Sequence, residues 1–143
     1  MQRVSVFNAH RRYRIAKKPV QTYVQRVLGT RKANIAVLFV GSRFCRFINK
    51  KYLHHNYATD VLSFSFGEKP LIESEIYVNL DKAKQQAREY DVSFGNEVAR
   101  LVIHGALHLI GYDDQTKRGA QRMKAAEDKH VGYWFSARQR KTV

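Results

Sequence analysis

One cysteine, two prolines and eight glycines in 143 residues deny this chain the raw material of several protein classes. A single thiol, Cys45, closes no internal disulfide, which excludes a disulfide-stapled scaffold and fits a reducing cytoplasm. It reads as a packed thiol on a helix. The shortage of Pro and Gly, beside 44% hydrophobic residues, excludes low-complexity disorder and points to a globular chain. Long apolar runs are missing as well: the longest, "IAVLFV" over residues 35–40, falls far short of the roughly 18 residues that a membrane span needs. The first twenty residues hold no acid and several arginines, like a transit peptide, yet "RVSVF" alternates as a strand does and the apolar core of a secretory signal is lacking. Acid is scarce throughout, 12 Asp and Glu against 26 Lys and Arg, for a net charge of +14. Such an excess favours a polyanionic partner, because phosphates release counterions when a basic surface neutralises them.

What is present reads as one domain over residues 1–143, long enough for a hydrophobic core. "RVSVF" (3–7) predicts a first strand. Pro19 opens a helix in which Val20, Tyr23, Val24, Val27 and Leu28 recur at helical spacing until Gly29. The apolar, β-branched run 34–41 predicts a central strand, and Ser42 suits the N-cap of a helix carrying Phe44, Phe47 and Ile48. "TDVLSFSF" (59–66) alternates, with Leu62, Phe64 and Phe66 on one side and Val61, Ser63 and Ser65 on the other. A further strand at 75–80 and helices at about 81–90, 96–110 and 116–131 complete the pattern. The order implies an α+β fold, a mixed, roughly four-stranded sheet packed against helices.

The segment "HGALHLIGYDD" (104–114) carries the chemistry. From Glu97 to Ile110 the chain is apolar nearly all round, as a buried helix is, and it places His104 and His108 one turn apart on one side. Two unpaired imidazoles there would be costly to bury, and a shared metal ion would partner both. A continued helix would carry residue 114 about 80° off that side. Gly111 instead permits a sharp turn through the left-handed region, from which a carboxylate can return. Spacing from Gly111 favours Asp114 over Asp113. Two histidines and one carboxylate with a fourth position open is a catalytic rather than a structural metal set. The competing reading has both histidines satisfied by ordinary hydrogen bonds, and Asp113 or Asp114 capping the helix that starts near Thr116.

The spacing copies the extended metzincin pattern, but the position of the peptidase's glutamate base is Gly105, so the metal scaffold stands without peptidase chemistry. "HGALHLIGYDD" resembles the signature of the YbeY endoribonuclease family, H-G-x-L-H-L-x-G-Y-D-H. "INKKYLHHNYATDVLSFSF" (48–66) is similar to that family's Asn-x-x-Tyr segment leading into Thr-Asp-Val-Leu-Ser-Phe, and "SEIYVN" (74–79) stands where it has Gly-Asp-Ile. The resemblance implies a metzincin-like arrangement on a central C-terminal helix and a zinc-dependent, single-strand-specific endoribonuclease. Its expected role is rRNA maturation, at the 16S rRNA 3′ end, and ribosome quality control. It maps one Zn2+, or another divalent transition metal, onto His104, His108 and Asp114. It also implies partners: RNA, the small ribosomal subunit, and ribosomal or GTPase proteins, with no membrane. Two departures stand out. Asp114 replaces the family's third histidine, and Leu53 stands where the family has arginine, leaving Lys50, Lys51 or His54 to hold phosphate.

No residue stands out as general base; Asp113, Glu75 and His54 are the catalytic candidates. His54 and His55 read by default as surface loop residues rather than a second metal site, and His10 and His130 as isolated and exposed. Trp134 and Phe135 read first as packing for the last helix and second as base-stacking rings. Three alternatives accompany the nuclease: a ribosome-associated RNA-binding factor with a structural metal, a metallohydrolase of another substrate, peptide included, and, ranked last, an iron oxygenase with a facial triad.

Overall fold

The computed structural model describes residues 2–53 and 59–142. Four strands, β1 (Gln2–Asn8), β2 (Ala33–Val40), β3 (Val61–Phe66) and β4 (Ile72–Asn79), form one sheet in the order β1-β2-β4-β3. β1, β2 and β4 run parallel, and β3 pairs antiparallel with β4 at the edge. The expected mixed four-stranded sheet and single α+β domain are therefore observed. Among the described residues five α-helices surround it: α1 (Lys17–Leu28), α2 (Ser42–Ile48), α3 (Leu80–Glu89), α4 (Phe94–Leu109) and α5 (Lys117–Thr142). A wider π-helical turn, Asn49–Leu53, continues α2. Among the described residues no helix is long and apolar enough to cross a membrane.

Alternation divides the sheet into two faces. Val4, Val6, Ile35, Val37, Phe39, Ile76 and Val78 share the inner face, all buried, under α1 and α4. The five apolar positions read from α1 are all buried against that layer. On the other face, α2 and the turn after it cover one end, where Cys45 and Ile48 are buried and Phe44 stacks on Tyr77 with ring centroids 5.9 Å apart. Cys45 is the packed thiol expected, pushed up to about 12 by burial, with Asp81 and Asp60 adding to it. The polar side of β3 turns inward: Ser63 Oγ reaches the Gly105 carbonyl at 3.5 Å, while Phe66 on the outer face is 52% exposed.

Three expectations need correction. α5 runs to Thr142 rather than stopping near 131, because the helix outlasts its apolar stripe, which ends near Val131, Trp134 and Phe135. His10 is not exposed: its side chain is 10% accessible and its Nε2 lies 2.8 Å from Asp81 Oδ1. His130 is half-buried, its Nδ1 without a hydrogen-bond partner among the described residues, and burial, with Arg26 and Lys129 nearby, holds its pKa below the usual imidazole range. Trp134 meets Tyr23 edge-on at 5.0 Å and packs against the core, the first of its two readings.

Candidate metal centre

α4 is built to hold still. Ser93 caps its start by accepting the Asn96 N–H at 3.0 Å. At its end, the Tyr112 N–H reaches the Leu107 carbonyl at 3.1 Å and the Gly111 N–H reaches that of His108 at 3.2 Å. Gly111 has φ +105°, so the pair of bonds is a Schellman closure with glycine in the position that needs positive φ. The turn expected at Gly111 is observed. Gly105 serves packing: a Cβ there would sit 2.7 Å from Ile76 Cγ2 and 3.3 Å from Ser63 Oγ. The position of a peptidase's base thus faces the sheet, with no room for a side chain.

His104 is half-buried and held by a carboxylate. Its Nδ1 lies 2.6 Å from Glu127 Oε2 on α5, and Glu127 Oε1 accepts from Arg100 Nη1 at 3.1 Å. Arg100 Nη2 donates to Asp128 at 2.7 Å, so two α4 side chains are clamped to two acids of α5. With Glu127 on Nδ1, the proton of neutral His104 resides there and the Nε2 lone pair is free to ligate, as in metal-binding histidines oriented by a carboxylate. The same bond raises the His104 pKa, against the opposing effect of burial, with the charges of Glu127 and Asp114 adding to it. Nε2 lies 4.0 Å from Asp114 Oδ2, which returns beyond Gly111. His108, one turn on, is exposed.

The structure therefore brings His104 and Asp114 together and leaves His108 on the exposed flank. Among the described residues no three His, Cys, Asp or Glu side chains are gathered closely enough to hold an ion as they stand. The chemistry of the donor set fits a metal nonetheless: one oriented imidazole, one accessible imidazole on the same helix, and a carboxylate 55% exposed at the same opening. The premise of two buried, unpaired imidazoles does not hold, since Glu127 partners one and water reaches the other.

The other candidates lie apart. Asp113 accepts the Gln115 N–H at 2.7 Å in a local turn, while Thr116 Oγ1 caps α5 by accepting the Gly119 N–H at 2.9 Å, so neither aspartate is the cap. Glu75 is on the sheet's outer face, accepting from Tyr77 Oη at 3.0 Å, across the sheet from α4. Burial, with that contact adding to it, pushes the Tyr77 hydroxyl up to about 12. His54 and His55 lie outside the described residues. Lys50 and Lys51 are exposed, Lys51 Nζ standing 5.8 Å and 5.4 Å from the Phe47 and Tyr52 rings.

Three contributors escaped the sequence reading. Glu127 is 8% exposed and lies in the Met123, Glu127, Val131 stripe of α5, so an acid inside an apolar stripe was its available signal. Arg100 is its partner. Gly119 lets the first turn of α5 sit against the loop, since a Cβ there would overlap the Asp113 carbonyl. Beside His104, a cavity of about 230 Å³ is lined by Asp60, Gln86, Glu97, Arg100 and Glu127 among others. Burial pushes the Glu97 carboxyl there up to about 7, although Arg100 pulls the other way.

Fold and site together describe an α+β protein with a carboxylate-oriented histidine on a buried helix and a returning acid beside it. The model of the family "Endoribonuclease YbeY" matches residues 5–134. Curated relatives named Endoribonuclease YbeY include those of Chlorobium luteolum, 37% identical over 82% of this chain and 85% of the relative, and Salinibacter ruber, 40% identical over 72% and 71%. The chain belongs to the YbeY family. The solution structure of TM1509 from Thermotoga maritima has the same fold, with a TM-score of 0.66 over 94% of this chain and 93% of that one at 24% identity.

Proposed function

We propose that this chain is a metal-dependent endoribonuclease that cuts single-stranded RNA in ribosomal RNA maturation. The observation that carries the reading is the Glu127–His104 pair, which leaves Nε2 free beside Asp114 in a chain of the YbeY family. His104, His108 and Asp114 would hold one divalent ion, zinc being the ordinary choice for two imidazoles and a carboxylate. Such an ion, when bound, supplies Lewis acidity and a water of lowered pKa for attack at phosphorus. Glu127 keeps the His104 proton on Nδ1 and its ring in one orientation. Lys50 and Lys51 are free to neutralise the RNA backbone. The 16S rRNA 3′ end is the target that the family suggests, with the small subunit and ribosomal or GTPase proteins as partners, in a reducing cytoplasm that suits a lone buried thiol.

His108→Ala should remove both bound metal and RNA cleavage; full cleavage by that variant sinks the proposal. Elemental analysis of the purified protein with and without Asp114→Ala identifies the ion and tests the third ligand. A second reading, RNA binding without cutting, is favoured by one observation: of the candidate bases, Glu75 stands across the sheet from α4 and Asp113 Oδ1 is engaged by the Gln115 N–H. It predicts steeply salt-dependent rRNA binding with no product at any metal concentration, and a metal-dependent cut made by wild type and lost in His108→Ala excludes it.

A further inference from the structure

One cleft in the described structure lies apart from His104. About 840 Å³ in volume, it opens where the parallel strands β1, β2 and β4 end, between the segment following β1 and helix α2, and shares no lining residue with the His104 cavity. Crevices outside the carboxyl ends of parallel strands are common ligand sites, and this volume is in the range of such sites. Its walls are of two kinds. Arg11, Arg12 and Arg43 supply three exposed guanidiniums, and no carboxylate among the described residues lies within ion-pair distance of any of them. Phe44 and Phe47, one turn apart on α2, are 44% and 59% exposed, although burying a ring of that size is ordinarily favourable.

The cleft's one acid, Asp81, is already engaged: His10 Nε2 lies 2.8 Å from its Oδ1, and the Ser42 N–H donates to its Oδ2 at 2.9 Å. Gly41 leaves room for this, since a Cβ there would meet Asp81 Oδ2 at 2.9 Å. Asp81 thus fastens the segment after β1 to the start of α2, and the cleft's available charge is cationic.

We infer that this cleft holds a stretch of single-stranded RNA away from the bond to be cut, with bases stacking on Phe44 and Phe47 and phosphates meeting Arg11, Arg12 and Arg43. Open rings are of use to unpaired bases, whose faces are free to stack on an aromatic side chain whatever their sequence. A duplex hides those faces, so rings and guanidiniums together select single strands where guanidiniums alone would not. The Tyr77 ring beneath Phe44 keeps that platform in place. The inference rests on RNA as the ligand but not on cleavage.

The test is fluorescence anisotropy with a labelled single-stranded oligoribonucleotide and a matched RNA duplex. Phe47→Ala alone and the Phe44→Ala/Phe47→Ala pair should weaken single-strand binding, the pair by 10-fold or more, while duplex binding stays within about twofold. The Arg11→Gln/Arg12→Gln/Arg43→Gln variant should lower the slope of log K against log salt by about 2, three phosphate contacts at about 0.7 each. Single-strand affinity within twofold of wild type in both sets, or no single-strand binding by wild type, overturns the inference. So does selective loss of binding to phosphatidylserine vesicles with RNA affinity unchanged, which would make the cleft a membrane contact. Cleavage is scored separately. A wild type that binds but never cuts defeats the nuclease reading and leaves the cleft standing, whereas one that cuts while the cleft variants bind unchanged does the reverse.

Discussion

The two faces of the sheet solve opposite problems with the same alternating strands. The inner face is apolar across β1, β2 and β4 apart from residues such as Ser74 and closed by α1 and α4, and the polar groups on or near it are paired off, Ser74 with Ser65, His104 with Glu127 and Arg100 with Glu127 and Asp128. The outer face keeps Phe7 and Phe66 half in water and covers only one end with α2. A sheet with two coverable faces and too few helices to cover both leaves one open. Here the clamped histidine lies on the closed side and the uncovered rings on the other. Precision belongs to the first, where low dielectric strengthens every pairing, and adaptable contact to the second.

The contrast is broken most severely at the clamp. Glu127→Ala removes the acceptor of both His104 and Arg100 and should cost about 3 kcal/mol of stability in urea denaturation, the range for breaking a mostly buried pair. An unchanged midpoint would mean that the closed side tolerates open charge. Its metal affinity should fall at least 10-fold by competition with a chelator. Gly105→Ala is next. The clash with Ile76 should cost about 1–3 kcal/mol, more than the roughly 1 kcal/mol that alanine contributes to a helix. A higher melting temperature would show that Ile76 gives way.

Smaller effects sharpen the comparison. The Glu97 carboxyl is raised to about 7 in the folded chain, so between the ordinary carboxyl value near 4.5 and pH 7 the folded state binds more protons than the unfolded. Stability contributed by that proton is present at low pH and is lost as pH rises through this window. Glu97→Gln should therefore melt about 3 °C higher than wild type at pH 8 and within error of it at pH 4, read by thermal scans. Equal gains at both pH values would exclude the carboxyl as the cause. On the outer face, Phe66→Ser should change stability by less than about 0.5 kcal/mol, because its ring is already half in water. A loss above 2 kcal/mol would mean that this face is covered after all.

Among the described residues the four strands and five α-helices were legible, most from periodicity, because side chains buried on one face impose a period of two or 3.6 on neighbouring residues, and β2 from its continuous apolar run; the π-helical turn Asn49–Leu53 was not. Ends were less so. β4 starts at Ile72 rather than 75, since its first residues pair with β2 and β3 whatever their polarity. His10 illustrates the larger gap: nothing near it in the chain announces Asp81, 71 residues away.

The residues themselves determined the fold class, through the order of the elements, and the buried helix and the turn at Gly111, through spacing along one segment. Tertiary structure alone decided that Glu127 orients His104, that Gly105 must lack a side chain, that Glu75 stands across the sheet, and that Arg11 and Phe44 share a cleft. Those are contacts between segments distant in sequence. Their partners are chosen by how helices pack on a twisted sheet, which no local pattern records.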